Sequence, residues 1–288
     1  MPRSDVERTA LERVPGNGPV ALEGLSSGLV NESYLAVRGG ERYSLRVPVP
    51  GAAALGVDRA WECRVLAAAH CAGLAPRIEC CEPRQGILVA RWAQGRQWTI
   101  AEAALEENLT QMARLVRRVH GIPIPAAPRV MRPEDWMGYY RSALARHGTE
   151  PPPAVRAAAA QRLAALAALP PAPPVLCHGD LHVQNLVETE RGLLLLDWEY
   201  AHVTEAGWDL AGWICSNDLS VNRARFLLAH YLGRQPGEAD ETRLRLLRWL
   251  YDCVCLLWIE LYLKSSGGGD GGSLAARAAF LASRLRDS

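Results

Sequence analysis

Val175-Leu-Cys-His178-Gly179-Asp180-Leu-His182-Val-Gln-Asn185-Leu-Val187, then a short polar stretch, then Leu193-Leu-Leu-Leu196-Asp197-Trp-Glu199-Tyr200: two apolar runs, each delivering a carboxylate at its end. Short apolar runs bounded by polar turns read as strands. Asn185 stands five residues after Asp180, and Asp197 closes the second run. These side chains carry the oxygens that phosphoryl transfer needs, since Mg²⁺ must be held by hard oxygen ligands while another carboxylate takes the proton of an attacking hydroxyl.

Singly, each is an ordinary residue, because Asp and Asn are favoured wherever a strand ends. Together they have the spacing of the kinase catalytic loop H-R-D-x-x-x-x-N, with Asp197 where a second metal carboxylate follows the next strand. His178 reads as a hydrogen-bonding brace before Asp180, and His182 as structural.

A chain of 288 residues exceeds the usual size of one core, so two lobes are expected. A formal charge of +1 gives no footprint for nucleic acid or an anionic membrane. Eight cysteines without C-x-x-C spacing read as reduced core thiols of a cytoplasmic protein, not a disulfide framework. The charged start Met1-Pro-Arg-Ser-Asp-Val-Glu-Arg8 does not resemble a signal peptide, and no run of about 18 apolar residues occurs. Lys264 is the only lysine, so a cation needed earlier in the chain must be arginine.

The first ninety residues alternate short β-type runs with glycine turns. Leu22 to Leu29 leads into a loop, Ser33 to Val37 and Tyr43 to Val47 flank Gly39-Gly40 as a hairpin, and Val57 to Cys71 is helical with Gly73 as its cap. Ile78 to Cys80 and Gly86 to Arg91 complete an antiparallel sheet. Helices follow: Leu105, Leu109, Met112, Val116 and Val119 share one face, residues 154–169 form another helix, and more are expected near 206–217, 221–232, 240–265 and 273–286. Gly267 to Gly272 reads as a flexible turn.

Ser27, Gly28 and Asn31 lie in a turn between the first two strands, where backbone N–H groups can approach phosphates. One glycine makes it no Walker A loop, and a plain hairpin turn fits it equally. In kinases a cation on the third strand pairs with phosphates and is held by a Glu from the next helix. Arg46 and Glu62 occupy those places, the guanidinium offering a fork where lysine offers a point charge.

These residues resemble the aminoglycoside phosphotransferase and choline kinase superfamily of small-molecule kinases. The resemblance runs through Ser27-Gly-Leu-Val-Asn31, Leu45-Arg-Val-Pro48, Glu62, Gly86-Ile-Leu-Val-Ala-Arg91-Trp92, His178-Gly-Asp-Leu-His-Val-Gln-Asn185 and Leu196-Asp-Trp-Glu-Tyr-Ala201, nearly the whole chain. It is most similar to the bacterial choline kinase and thiamine kinase branches, where Arg at the position of Arg46 is not unusual. The resemblance implies a bilobal, protein-kinase-like α+β fold, with an antiparallel-sheet nucleotide lobe over residues 1–92 and a mainly helical lobe over 93–288. It implies ATP and Mg²⁺ as cofactors, Asp180 as catalytic base, Asn185 and Asp197 as metal ligands, and Glu199 at a second metal. Residues from Val89 through Arg91 to Trp92 would meet the adenine edge through backbone groups, and Asp209 would brace the catalytic loop.

The acceptor is less defined. Trp208, Trp249, Asp252 and Trp258 place aromatic faces near carboxylates, which suits a cationic alcohol such as choline or thiamine through cation–π attraction, although helix-core packing shows the same spacing. An aminoglycoside or sugar acceptor, or a catalytically silent binding protein, are the alternatives. A protein kinase is disfavoured because no Asp-Phe-Gly or Ala-Pro-Glu run bounds an activation loop. The expected partners are a nucleotide and a small alcohol, with no nucleic acid and no membrane.

Overall fold

The computed structural model describes residues 3–49, 51–265 and 271–287. They divide into two compact units, residues 1–97 with 184–200, and residues 98–183 with 201–288. In chain order the first stretch carries α1 (Arg3–Arg13), β1 (Ala21–Ser27), β2 (Asn31–Arg38), β3 (Glu41–Pro48), α2 (Arg59–Cys71), β4 (Ile78–Glu82) and β5 (Ile87–Arg91). Then follow α3 (Ile100–Ala103), α4 (Glu106–His120), α5 (Pro133–Ala145), α6 (Pro153–Ala167) and β6 (Pro174–Cys177). The chain re-enters the first unit as β7 (Leu186–Thr189) and β8 (Gly192–Leu195). It ends in the second with β9 (His202–Glu205), α7 (Gly207–Ser216), α8 (Val221–Leu232), α9 (Glu238–Ser265) and α10 (Gly271–Asp287).

The first unit is an antiparallel five-stranded sheet in the order β1-β2-β3-β5-β4. Its β2–β3 hairpin closes on Gly39 and Gly40, both at positive φ, the geometry of a two-residue turn that follows the strand twist. Tyr43, Leu45 and Val47 face one way along β3 and pack with Val6 and Ala10 of α1 and with Val14 just beyond it. Strand alternation turns Arg46 to the other face. Helix α2 starts at Asp58, whose carboxylate caps the Trp61 N–H at 2.9 Å, and stops before Gly73 at φ 67°.

Three differences from the sequence reading have physical causes. Helix α1 was not expected, because its arginines and glutamates hide a narrow stripe of Val6, Thr9 and Ala10. Cys63 on α2 and Cys81 on β4 form a disulfide, their Cα atoms 5.9 Å apart, because that helix packs on that edge strand; Cys71 is exposed, so neither it nor this pair is a reduced core thiol. Segment 184–200 belongs with the N-terminal unit, whereas a division at Trp92 puts it in the other lobe. Its anchors are the Leu195 N–H on the Leu74 carbonyl at 2.8 Å, the paired backbone bonds of Arg96 with Glu188, and their 2.7 Å ion pair.

In the second unit α4 buries Leu109, Met112, Val116 and Val119 as the spacing predicts, while Leu105 sits exposed at its N-cap. Arg117 of α4 donates to the His230 and Tyr231 carbonyls at the end of α8. Helix α9 has α5, α6, α7 and α10 against it, and α5 is an addition to the expected helices. Of the expected glycine turn, residues 267–270 lie outside the described residues, and Gly271 and Gly272 open α10.

Candidate active site

Four segments of the first unit meet around Arg46. Gly28 sits in the turn after β1, and a Cβ there would lie 2.7 Å from the Asn31 carbonyl oxygen, so the turn requires glycine. The Ser27 side chain lies outside the described residues. Asn31 turns its amide inward, donating to Glu199 Oε2 at 2.6 Å and accepting from Arg59 at 2.6 Å.

Arg46 is the hub. One terminal nitrogen bonds Glu62 Oε1, the other Asp197 Oδ1 at 2.5 Å, and Glu199 lies 4.0 Å from it. Burial alone would push the guanidinium down, but Glu62, Asp197 and Glu199 together hold it above its usual range. Its Nε is buried and has no hydrogen-bond partner among the described residues, which leaves one donor uncommitted. Glu62 Oε2 is taken by Arg59 at 2.9 Å, and the same Arg59 nitrogen reaches Glu199 Oε2 at 2.7 Å.

Asn185 and Asp197 meet through strand register. Leu186 pairs with Leu195 across β7–β8, and the next backbone bond, Leu196 N–H to the Asn185 carbonyl at 2.9 Å, sets Asn185 and Asp197 at the same end of the hairpin. Asp197 has φ 60°, a left-handed conformation that costs a non-glycine residue roughly 1–2 kcal/mol and re-aims its carboxylate where the strand ends. Oxygens of Glu62, Asp197 and Glu199 all lie within 4.8 Å of one another. Burial first, then the charge of Asp197, raise the Glu199 pKa to about 8 against the lowering pull of Arg46 and Arg59. Asn185, Asp197 and Glu199 offer an oxygen-only donor set, and with Glu62 the site places three carboxylates against two arginines, an arrangement that fits a magnesium ion.

Arg91 and Trp92 stand differently. Arg91 pairs with Glu79 at 2.7 Å and with Glu41 on the sheet surface. Its N–H donates to the Arg77 carbonyl and that of Trp92 to the Arg42 carbonyl, at 2.8 and 3.0 Å, so these two backbone donors are engaged in the sheet instead of facing an adenine edge.

The segment from His178 to His182 belongs to the second unit and is held chiefly through its backbone N–H groups. Asp209 of α7 accepts from the His178 and Gly179 N–H groups at 2.9 Å each, Gly179 taking φ 83° between them. His120 Nε2 lies 3.2 Å from the same carboxylate, and its Nδ1 is 2.8 Å from the Tyr231 hydroxyl. Burial would raise Asp209, but the His120 hydrogen bond, the nearby histidines and the Gly179 N–H outweigh it and leave the pKa lowered. Asp180 follows, its N–H 3.3 Å from His178 Nδ1 and its carboxylate 3.4 Å from His182 Nε2. His182, expected as structural, thus lies beside Asp180, and Arg59, His120 and Tyr231 join the network without a sequence signal. A charged residue at the start of a helix and a histidine at the end of another carry no spacing signal of their own.

Of the four residues expected at the acceptor, Trp208 lies against Tyr251 with centroids 5.2 Å apart, and His202 joins it to Trp136 and Tyr140. Tyr140 and Tyr251 have pKa values raised first by burial, with the Asp180 charge contributing, which places both rings in its field. Trp249 and Asp252 do other work: the indole N–H donates to the Leu285 carbonyl at 3.3 Å with Arg162 over the ring at 4.3 Å, and the carboxylate is held by Arg284 at 2.8 Å. Both fasten α9 to its neighbours. Trp258 stacks on Tyr262 one turn further along.

The comparison that decides the family is a match of residues 21–247 to the model of the phosphotransferase enzyme family. The chain belongs to that family. Over 116 residues it is 28% identical to Protein LicA of Haemophilus influenzae, a stretch covering 38% of this chain and only 42% of that protein. Two solved structures share the fold. A choline/ethanolamine kinase family protein from Mesorhizobium loti has a TM-score of 0.78 at 23% identity, over 99% of this chain and 94% of its own. Choline kinase LicA from Streptococcus pneumoniae has 0.77 at 21%, over 99% and 98%. The protein-kinase-like α+β fold is therefore established for this member of the phosphotransferase enzyme family.

Proposed function

We propose that this phosphotransferase is an ATP- and Mg²⁺-dependent kinase for a small cationic alcohol of the choline or thiamine type. The observation that carries the reading is the hairpin register that sets Asn185 and Asp197 at one end of β7–β8, with Asp197 ion-paired to an Arg46 that still has a donor to give. Arg46 Nε would hold a phosphate oxygen of the nucleotide while its other nitrogens stay on Glu62 and Asp197. Magnesium held by Asn185, Asp197 and Glu199 would offset the charge of the transferring phosphate.

Asp180 orients the acceptor hydroxyl and accepts its proton as the oxygen attacks the γ-phosphorus and ADP leaves. Asp209 fixes the loop that presents it, and His182 limits the freedom of its carboxylate. Trp208, Tyr140 and Tyr251 supply the aromatic faces for a cationic acceptor. An ATP donor places the work in the cytoplasm; no described helix is long and apolar enough to cross a membrane.

One observation favours a second acceptor class. Arg129 lies 4.8 Å over the Trp136 ring, so this part of the aromatic cluster already has a cation, and a sugar or aminoglycoside hydroxyl is the alternative. Release of ADP with choline, ethanolamine, thiamine, a simple sugar and an aminoglycoside separates the two. Turnover with the cationic alcohols supports the first reading, turnover confined to sugars the second, and none with any acceptor despite nucleotide binding leaves a silent kinase-fold binding protein.

A further inference from the structure

We propose that Arg59 is a positioning residue for the phosphoryl donor: it latches the Asn31 turn and Glu62 to Glu199, and so keeps Arg46 aimed at Asp197. The inference rests on the kinase reading above.

Arg59 is the first residue of α2, where the positive end of the helix dipole disfavours a cation. Its place is explained instead by what it touches. One terminal nitrogen bridges Glu62 Oε2 at 2.9 Å and Glu199 Oε2 at 2.7 Å, and the other donates to Asn31 Oδ1 at 2.6 Å. Asn31 closes the ring by donating to the same Glu199 oxygen at 2.6 Å. Three segments far apart in sequence are thus locked at a half-buried guanidinium, and the lock includes the turn expected to receive phosphates.

The charges divide the labour. Glu62, Asp197 and Glu199 face Arg46 and Arg59. Arg46 serves Asp197 and one oxygen of Glu62, while Arg59 serves the other Glu62 oxygen and Glu199. Without Arg59 the nearest cation to Glu199 is Arg46, already 4.0 Å away, and Coulomb attraction in a buried site draws it across. Its Nε would then leave the position from which it can hold a phosphate.

The test compares wild type with Arg59→Gln and Arg59→Lys. Binding of Mg²⁺ with a non-hydrolysable ATP analogue is followed by calorimetry, and the KM for nucleotide and for acceptor by kinetics. Removing hydrogen bonds to charged groups predicts nucleotide binding weaker by about tenfold or more in Arg59→Gln, with the acceptor KM unchanged. Lysine, which restores the charge without the fork, recovers part of the loss. Unchanged nucleotide affinity, or a parallel rise of both KM values, overturns the proposal. If Arg59→Gln fails to fold, a double-mutant cycle of Arg59→Lys with Asn31→Ser decides it, coupled losses supporting the latch and additive ones overturning it. A wild type that binds no Mg–nucleotide overturns the kinase reading together with it, whereas normal wild-type binding with unaffected variants removes Arg59 alone.

Discussion

Glu199 and Asp209 are both buried carboxylates, one in each compact unit, and their pKa values move in opposite directions. Both are desolvated, so burial does not explain the difference. Glu199 shares its space with Asp197 and Glu62, and the guanidiniums that offset it are divided among three acids. Asp209 has two backbone N–H groups and a histidine to itself. The first unit therefore crowds three carboxylates around two guanidiniums, a cluster that a further cation would help keep ionised, and the second holds a closed brace. Binding and catalytic positioning ask for those two kinds of electrostatics.

The largest expected effect sharpens that division. Asp180→Asn keeps the loop and the first unit intact but removes the proton acceptor, so kcat should fall by about 10²–10⁴-fold while affinity for Mg–nucleotide is retained. Single-turnover kinetics with direct nucleotide binding reads both, and unchanged turnover excludes Asp180 as base. Next is the brace. Asp209→Ala strips the His178 and Gly179 N–H groups and His120 of their acceptor at once, and a cost of about 3–5 kcal/mol in denaturant unfolding is expected. A cost below about 1 kcal/mol, the size of one ordinary hydrogen bond, would show that the loop does not depend on it.

How much of this was readable beforehand follows from the range of the forces. The β2–β3 hairpin, the α4 face and the end of α2 are local patterns, written in Gly39-Gly40, in Leu109, Met112, Val116 and Val119, and in Gly73. Arg46 and Glu62 were legible because a strand residue and a residue on the following helix have one plausible meeting place. Arg59 was not, since its partners at 31 and 199 come together only through tertiary packing. The Cys63–Cys81 pairing was hidden for the same reason. Trp249 and Asp252 show the opposite failure: aromatic and acidic residues at helical spacing read as a ligand face, and α10 and α6 contribute the side chains that meet them.

A smaller effect separates the units by chemistry. The disulfide lies wholly in the first unit, whereas every described cysteine of the second is free. Replacing Cys63 and Cys81 with serine should lower stability by about 3 kcal/mol, as expected for a loop of this length, and dithiothreitol should do the same to wild type but nothing to the variant. The loss should appear in the unfolding of α2 and the sheet, read by hydrogen exchange. An equal loss throughout the second unit would mean that the units unfold together and that the contrast between them does not extend to stability.

The smallest effect is the pH slope, and its sign tests the comparison directly. Glu199 is raised from 4.5 to about 8, so between those values the folded protein binds more protons than the unfolded one and stability falls as pH rises. Asp209 is lowered from 3.8, so its contribution is complete above that value and is lost as pH falls through its folded pKa. In the presence of a chelator, Glu199→Gln should flatten the decline in thermal midpoint between pH 5 and about 8 and leave the acid limb unchanged, because glutamine keeps the acceptor for Asn31 and Arg59 without a titrating proton. Asp209→Asn should flatten only the acid limb, on a lower overall stability. If Glu199→Gln leaves the upper slope as it was, the three clustered carboxylates are already balanced by Arg46 and Arg59, and a cation would gain nothing from relieving them.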